Sequence, residues 1–98
     1  MDFELSPQGE RDLESLVDFY LERGISTAGR FADEYAALFE RLKVFPESGE
    51  IMGAGVYRAL LSQFSIWVFY SLSDRGLVLR LVHTSRSPEE WPTELQPV

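Results

Sequence analysis

The residues able to carry acid–base or anion chemistry gather in the second half of this chain. His83 stands three residues after Arg80 and three before Arg86, with Arg58 and Tyr70 upstream. His83 is the only histidine, and imidazole is the side chain whose ordinary pKa lets it take or give a proton near neutral pH. Arg58, Arg80 and Arg86 could fix a phosphate or a carboxylate through the forked donors of guanidinium. Proton transfer at a phosphodiester needs a base, an acid and fixed cations within reach of one another. The residue types are present, but alternation along a strand turns Arg80 and Val82 away from His83, so the histidine and this arginine are not expected to share a face. The favoured reading of His83 is a strand-end imidazole that hydrogen-bonds the backbone.

Other chemistries are closed by composition. The chain has no cysteine, which removes disulfides and thiolate metal sites and suits a reducing compartment. No metal or cofactor is expected. Gly53-Ala54-Gly55 lacks the lysine and the following helix that a phosphate loop requires. Met1-Asp2-Phe3-Glu4 carries neither a basic leader nor an apolar stretch, and no later apolar run reaches the ~20 residues that span a bilayer. The expected location is the cytoplasm, with no direct membrane contact.

Charge is distributed unevenly along the 98 residues: the first 50 hold 12 acids against 5 bases, and the remainder hold 4 of each. All of the net charge of −7 therefore lies in the first half. Binding to nucleic acid through its phosphates requires clustered Lys and Arg, so weak or no affinity for free nucleic acid is expected.

The elements that must position these groups are legible from pattern. Phe3-Glu4-Leu5 alternates as a short strand and meets Ser6-Pro7, a helix cap with proline in the first helical position. Leu13, Leu16, Val17, Tyr20 and Leu21 then recur on one helical face, and Gly24 fits a left-handed helix terminus. A second helix starts near Ser26, with an apolar stripe of Ala28, Phe31, Ala32, Tyr35, Leu38, Phe39, Leu42 and Phe45, and stops at Pro46. The short connection folds the two into an antiparallel hairpin whose outer faces carry the surplus acid. Residues 47–55, rich in turn formers, read as a mobile loop. Val56–Leu61, Ser65–Leu72 and Leu77–His83 read as a three-stranded antiparallel meander. The expectation is a single α+β domain over residues 1–98, an antiparallel sheet packed by a helical hairpin in the order β-α-α-β-β-β.

In the middle strand Ile66, Val68, Tyr70 and Leu72 share one face while Trp67 and Phe69 share the other, so both faces need cover. The hairpin covers one. For the other, two covers stay open: a partner chain, or the chain's own tail. Ser87-Pro88-Glu89-Glu90 has the form of a capping box, and one helical turn there would return Trp91 to the sheet as a packed lid, leaving Trp67 more available to an interface. Residues 96–98 are expected to fray.

Strand, two helices and three strands is also an order of elements with particular residues attached. Ser6-Pro7 with Asp12-Leu13, Pro46 and Gly49 after the second helix, Tyr57-Arg58, the aromatic run ending at Tyr70, and above all Leu79 to Trp91, where a strand runs into His83, then Arg86, Pro88 and Trp91, together resemble the RelE/ParE toxin superfamily of type II toxin–antitoxin pairs, in its ParE-like branch. The resemblance covers nearly the whole chain. It implies a cognate antitoxin as partner, whose segment wraps the toxin's helices and sheet, and growth inhibition by one of two routes. ParE-like members poison DNA gyrase without being nucleases; RelE-like members enter the ribosome and cleave messenger RNA.

The nuclease route would use Arg58, Arg80, His83 and Arg86 without a metal. It fits less well: the only lysine, Lys43, lies on the second helix, and the tail from Ser87 carries three glutamates. A net negative charge also opposes approach to ribosomal phosphate. The first expectation is therefore a non-enzymatic, ParE-like gyrase inhibitor, with Tyr57, Arg58, Trp67, Arg80 and Arg86 as the residues that meet target or antitoxin. A ribosome-dependent endonuclease is the second. A weakly toxic member acting mainly as the antitoxin's partner is the third. For the three arginines, pairing with carboxylates inside the chain stands beside pairing with an acidic partner.

Overall fold

A computed structural model describes residues 1–97. The chain runs β1 (Phe3–Leu5), α1 (Pro7–Leu21), α2 (Ile25–Val44), β2 (Glu50–Gly53), β3 (Val56–Leu61), β4 (Ile66–Leu72) and β5 (Gly76–His83), followed by two single 3-10 turns, Pro88–Glu90 and Thr93–Leu95. The strands form one sheet in the order β1-β5-β4-β3-β2. The meander β2 to β5 is antiparallel, whereas β1 lies parallel to β5 with Phe3 opposite Gly76. The fold is α+β as expected, with two differences: the sheet is mixed, and it has a fifth strand.

The extra strand lies in the segment read as a mobile loop. Glu50 pairs with Arg58 and Ile51 with Tyr57, and the chain then reverses through Gly53, Ala54 and Gly55, all at positive φ. Glycine is at home in that region, and its density there masked a strand of only four residues. Gly24 also departs from expectation. Its φ and ψ of 136° and 149° lie outside the left-handed helical region, and it opens α2 by accepting from the Ala28 amide. Only a residue without Cβ adopts this geometry easily, so it still permits the tight reversal between helices.

Helices and sheet enclose the larger core. Phe31, Leu38 and Leu42 of α2 and Tyr20 of α1 pack on Ala59, Leu61, Ile66, Val68, Tyr70, Val78 and Leu81. The helical period supplies one face and the two-residue strand period the other. Phe45, read as the last rung of the α2 stripe, is instead 63% exposed, because it leaves the helix with φ −125° and ψ 71°.

Tyr70 locks the connection from α2 to β2. Fully buried, it donates its hydroxyl to the Pro46 carbonyl (2.8 Å) and accepts from the Gly49 amide (3.0 Å). A Cβ on Gly49 would sit 2.5 Å from that hydroxyl and 2.8 Å from the Arg58 carbonyl, so glycine is required for the close approach. The Tyr70 hydroxyl, considered above for chemistry, is thus committed to holding a loop.

The far face of the sheet has its own smaller core. Val56, Phe69, Leu79 and Val82 are buried, with Met52, Trp67, Leu77, Trp91 and Leu95 packed around them. Trp91 lies 5.4 Å from the Phe69 ring, so the chain's own tail provides the cover. Gln96, expected to fray, donates its side-chain amide to the carbonyls of Pro88 (2.7 Å) and Trp91 (3.0 Å). Val98 lies outside the described residues.

Two tyrosines should respond oppositely to loss of a hydroxyl. Tyr70→Phe leaves a part-buried amide and carbonyl without their partner and should lower the unfolding free energy by about 1–2 kcal/mol. The Tyr35 hydroxyl is buried without a hydrogen-bond partner, so Tyr35→Phe should be neutral or stabilising. Burial pushes the Tyr35 phenol from 10.0 up to about 12. The folded state therefore keeps this proton while the unfolded chain loses it, and the associated stability, complete below pH 10, is lost as pH rises toward about 12. Urea unfolding at neutral and alkaline pH checks both points: Tyr35→Phe should flatten the alkaline decline, and equal costs for the two variants would contradict the assignment.

Candidate functional site

The pairing of strands decides which candidate residues meet. Arg58 of β3 stands opposite Phe69 of β4, and Phe69 opposite Arg80 of β5, so the two arginines flank one buried ring on the tail-covered face. Trp67, opposite Leu60 and Val82, continues that face toward the β3–β4 turn. The Arg58 guanidinium lies 3.7 Å from the centre of the Trp67 ring and 5.4 Å from that of Trp91. A cation between two indoles is favoured by their electron-rich faces. Its Nε also donates to Glu50 at 2.7 Å, a pair across strands that depends on β2.

Arg80 is held differently. Its Nε and a terminal nitrogen donate to the two carboxylate oxygens of Asp12 on α1, at 2.7 and 3.2 Å. The oxygen that takes Nε also accepts the Leu81 amide at 3.0 Å. Only 10% of the Asp12 side chain is exposed. The reason for this arrangement is the edge of β5. The short β1 pairs with Gly76, Leu77 and Val78 and then ends. Beyond it the helix start takes over: the Ser6 amide donates to the Val78 carbonyl (2.8 Å), the Ser6 hydroxyl to the Leu79 carbonyl (3.0 Å), and Asp12 accepts from Leu81. Gly9 permits the contact, since a Cβ there would lie 2.6 Å from the Val78 carbonyl oxygen. The same Ser6 hydroxyl caps α1 by accepting the Gly9 amide at 2.9 Å.

A bulge at Leu79 shapes the face. Phe69 pairs with Arg80 but Tyr70 pairs with Val78, leaving Leu79 as an extra residue. Leu79 joins the tail-side core while Leu81 joins the helix-side core. The bulge precedes both Arg80 and His83, so these two still lie on opposite faces.

His83 is exposed and borders a groove formed with Leu16, Phe19 and Tyr20 of α1, Ile66 and Arg86. Its Nδ1 accepts the Ser85 amide at 3.0 Å and contacts the Ser85 hydroxyl at 2.7 Å, and its carbonyl accepts the Arg86 amide. The ring therefore shapes the turn that launches the tail. Arg86 is exposed, 3.9 Å from Glu90. Tyr57 lies on the helix side, stacked 5.4 Å from Tyr70. The structure thus joins Arg58, Trp67 and Arg80, and it separates them from Tyr57, His83 and Arg86. Each of the three arginines is paired within the chain.

Two contributors escaped sequence reasoning as parts of a site. Asp12 was visible only as a residue of the resemblance, and Glu50 lay in the supposed loop; the strand register that joins each to its arginine has no local signal. Among the described residues no group of three or more His, Asp or Glu is placed to hold a metal ion. Nor, among them, is any helix long and apolar enough to cross a membrane.

The described residues form a mixed sheet with a helical hairpin on one side and an arginine-bearing face on the other. Residues 3–88 match the family model described as ParE toxin of type II toxin–antitoxin system, parDE, and the chain belongs to that family. Among solved structures it is similar to one titled "Chromosomal ParDE TA system from P. aeruginosa", with a TM-score of 0.73 and 16% sequence identity, over 87% of this chain and 97% of that one. At that identity the likeness is one of fold. A search of curated proteins finds no match.

The lock between α1 and β5 should dominate the stability of this region. Asp12→Ala strands Arg80 and the Leu81 amide and should cost about 2–3 kcal/mol, whereas Glu90→Ala, which removes an exposed partner of Arg86, should cost under about 0.5 kcal/mol. Similar costs for the two, measured by denaturant unfolding, would contradict the division between lock and surface pair.

Proposed function

We propose that the chain is a ParE-like toxin that inhibits growth by binding DNA gyrase, is neutralised by a cognate antitoxin, and works in the cytoplasm without acting as an enzyme. Its membership of the family supports the toxin role. The observation that carries the choice of a binding mode over catalysis is the placement of His83. It lies across the sheet from Arg58 and Arg80, with its Nδ1 taken by Ser85, and a general base must reach the same atoms as the cations that steady the charge. The net charge of −7 supports the same choice, since it disfavours approach to ribosomal or free nucleic acid.

The partner-facing residues in this reading are Arg58 and Trp67, with Arg80 behind them; Arg86, in the separate groove beside His83, and Tyr57, on the helix side, would act only apart from them. An antitoxin segment that is acidic with apolar anchors suits the face, because carboxylates exchange readily with exposed Glu50 for the Arg58 fork.

Expression without antitoxin in a bacterial host should produce filamentous cells and an SOS response, and the purified protein should inhibit gyrase supercoiling. Immediate arrest of translation with codon-dependent messenger cleavage, lost in His83→Ala or Arg86→Ala, would instead establish the ribosomal nuclease. Normal growth with soluble protein would favour a member that serves mainly as the antitoxin's partner.

A further inference from the structure

The segment that covers the tail face, residues 87–97, is joined to the rest of the molecule in an unusual way. Among the described residues every hydrogen bond it makes closes within itself: Glu90 to Ser87, Trp91 to Pro88, Leu95 to Pro92, Gln96 to Thr93, the Thr93 hydroxyl to the Glu94 carboxylate, and the Gln96 side chain back to Pro88, Glu89 and Trp91. No strand pairing ties it to the sheet. It is held by the apolar contacts of Trp91 and Leu95 with the tail-side core, by the Arg58 guanidinium facing Trp91, and at its start by the exposed Arg86–Glu90 pair at 3.9 Å. An exposed connection, Thr84 to Arg86, precedes it. Lifting it would therefore expose apolar surface without breaking a hydrogen bond to the sheet.

Composition adds a second observation. The segment holds Glu89, Glu90 and Glu94, no basic residue, and Trp91 and Leu95 as anchors. It lies against a face that bears Arg58 and Arg80, and Glu94 borders the groove that also contains Arg11 and Arg80. The segment is in effect an acidic peptide with bulky apolar anchors, already seated.

We propose that residues 87–97 form a detachable cap that occupies in cis a docking surface for acidic, apolar-anchored peptides, so that cap and partner peptide compete for the row Arg58, Phe69, Arg80 and the adjoining Trp67. The cap then sets a threshold: a partner's apparent affinity is reduced by the fraction of molecules in which the face is closed. The identity of the natural partner as an antitoxin rests on the toxin reading above, but the docking of the cap does not.

The test uses the full chain. A labelled synthetic peptide of residues 87–97 is titrated against the native protein and against a full-length variant carrying Trp91→Ala and Leu95→Ala, whose folding is checked by circular dichroism. The peptide should bind the variant at least about tenfold more tightly than the native chain, and a peptide with its own tryptophan replaced by alanine should bind neither. Equal affinity for both proteins, or no binding to a folded variant, would overturn the proposal. A second measurement needs no variant: in fluorotryptophan-labelled native protein, excess free peptide should shift the Trp91 fluorine resonance toward its solvent-exposed position while Trp67 stays covered. An unresponsive Trp91 would be equally fatal. Failure to inhibit gyrase would sink the toxin target and leave both results standing.

Discussion

The carboxylate of Asp12 is the constraint on which the arrangement of this molecule depends. A strand at the edge of a sheet carries amides and carbonyls that require partners, and an uncovered edge invites pairing with other chains. The last part of β5 has no neighbouring strand on one side, because β1 pairs with only its first three residues. Ser6 and Asp12 supply the missing partners from the start of α1. That contact fixes how the helical hairpin lies across the sheet and so which residues of β3, β4 and β5 face helices and which face the tail. It also braces Arg80, which still borders the groove beside Trp91 and Glu94.

With Arg80 braced, the proposed docking role of the tail face falls mainly on Arg58 and Trp67. Their stacking places a charge over an aromatic ring at the margin of a small apolar core. Such pairs are half-buried, keep a donor fork free to exchange partners, and lose little side-chain freedom on binding, which is why they recur where proteins meet proteins. The opposite side of the sheet is spent on the main core, and the acid surplus of α1 and α2 lies beyond it. In this chain the cation–aromatic pair thus lies on one face of a scaffold whose other face carries the larger core.

Much of the architecture was legible because periodicity reports burial directly. The two helices, the three long strands and the split faces of Ile66 to Leu72 all follow from where apolar residues recur. The pairing of β1 with β5 was not legible, since three alternating residues give a strand no address. Strand β2 was hidden by the glycines that make its turn possible. The bulge at Leu79 broke the alternation of Leu77, Leu79 and Leu81, which by period alone would share a face. Among site residues the opposition of His83 and Arg80 could be read from spacing, but the partners of the arginines could not: Asp12 and Arg80 are 68 residues apart in sequence. The cover of the second face was left open between tail and partner, and the apolar pattern of β4 is the same for either.

The most direct test of this account is hydrogen exchange at the Leu81 amide, the donor that Asp12 accepts on the bare side of β5. If the helix start serves as the missing strand, this amide should exchange only through global unfolding, with a protection close to that of the central β4 amides, and Asp12→Asn should lower it by about tenfold or more beyond any change in global stability. Exchange in the native protein at the rate of an exposed edge amide would show that α1 does not seal the sheet, and the arrangement of faces built on that seal would fall with it.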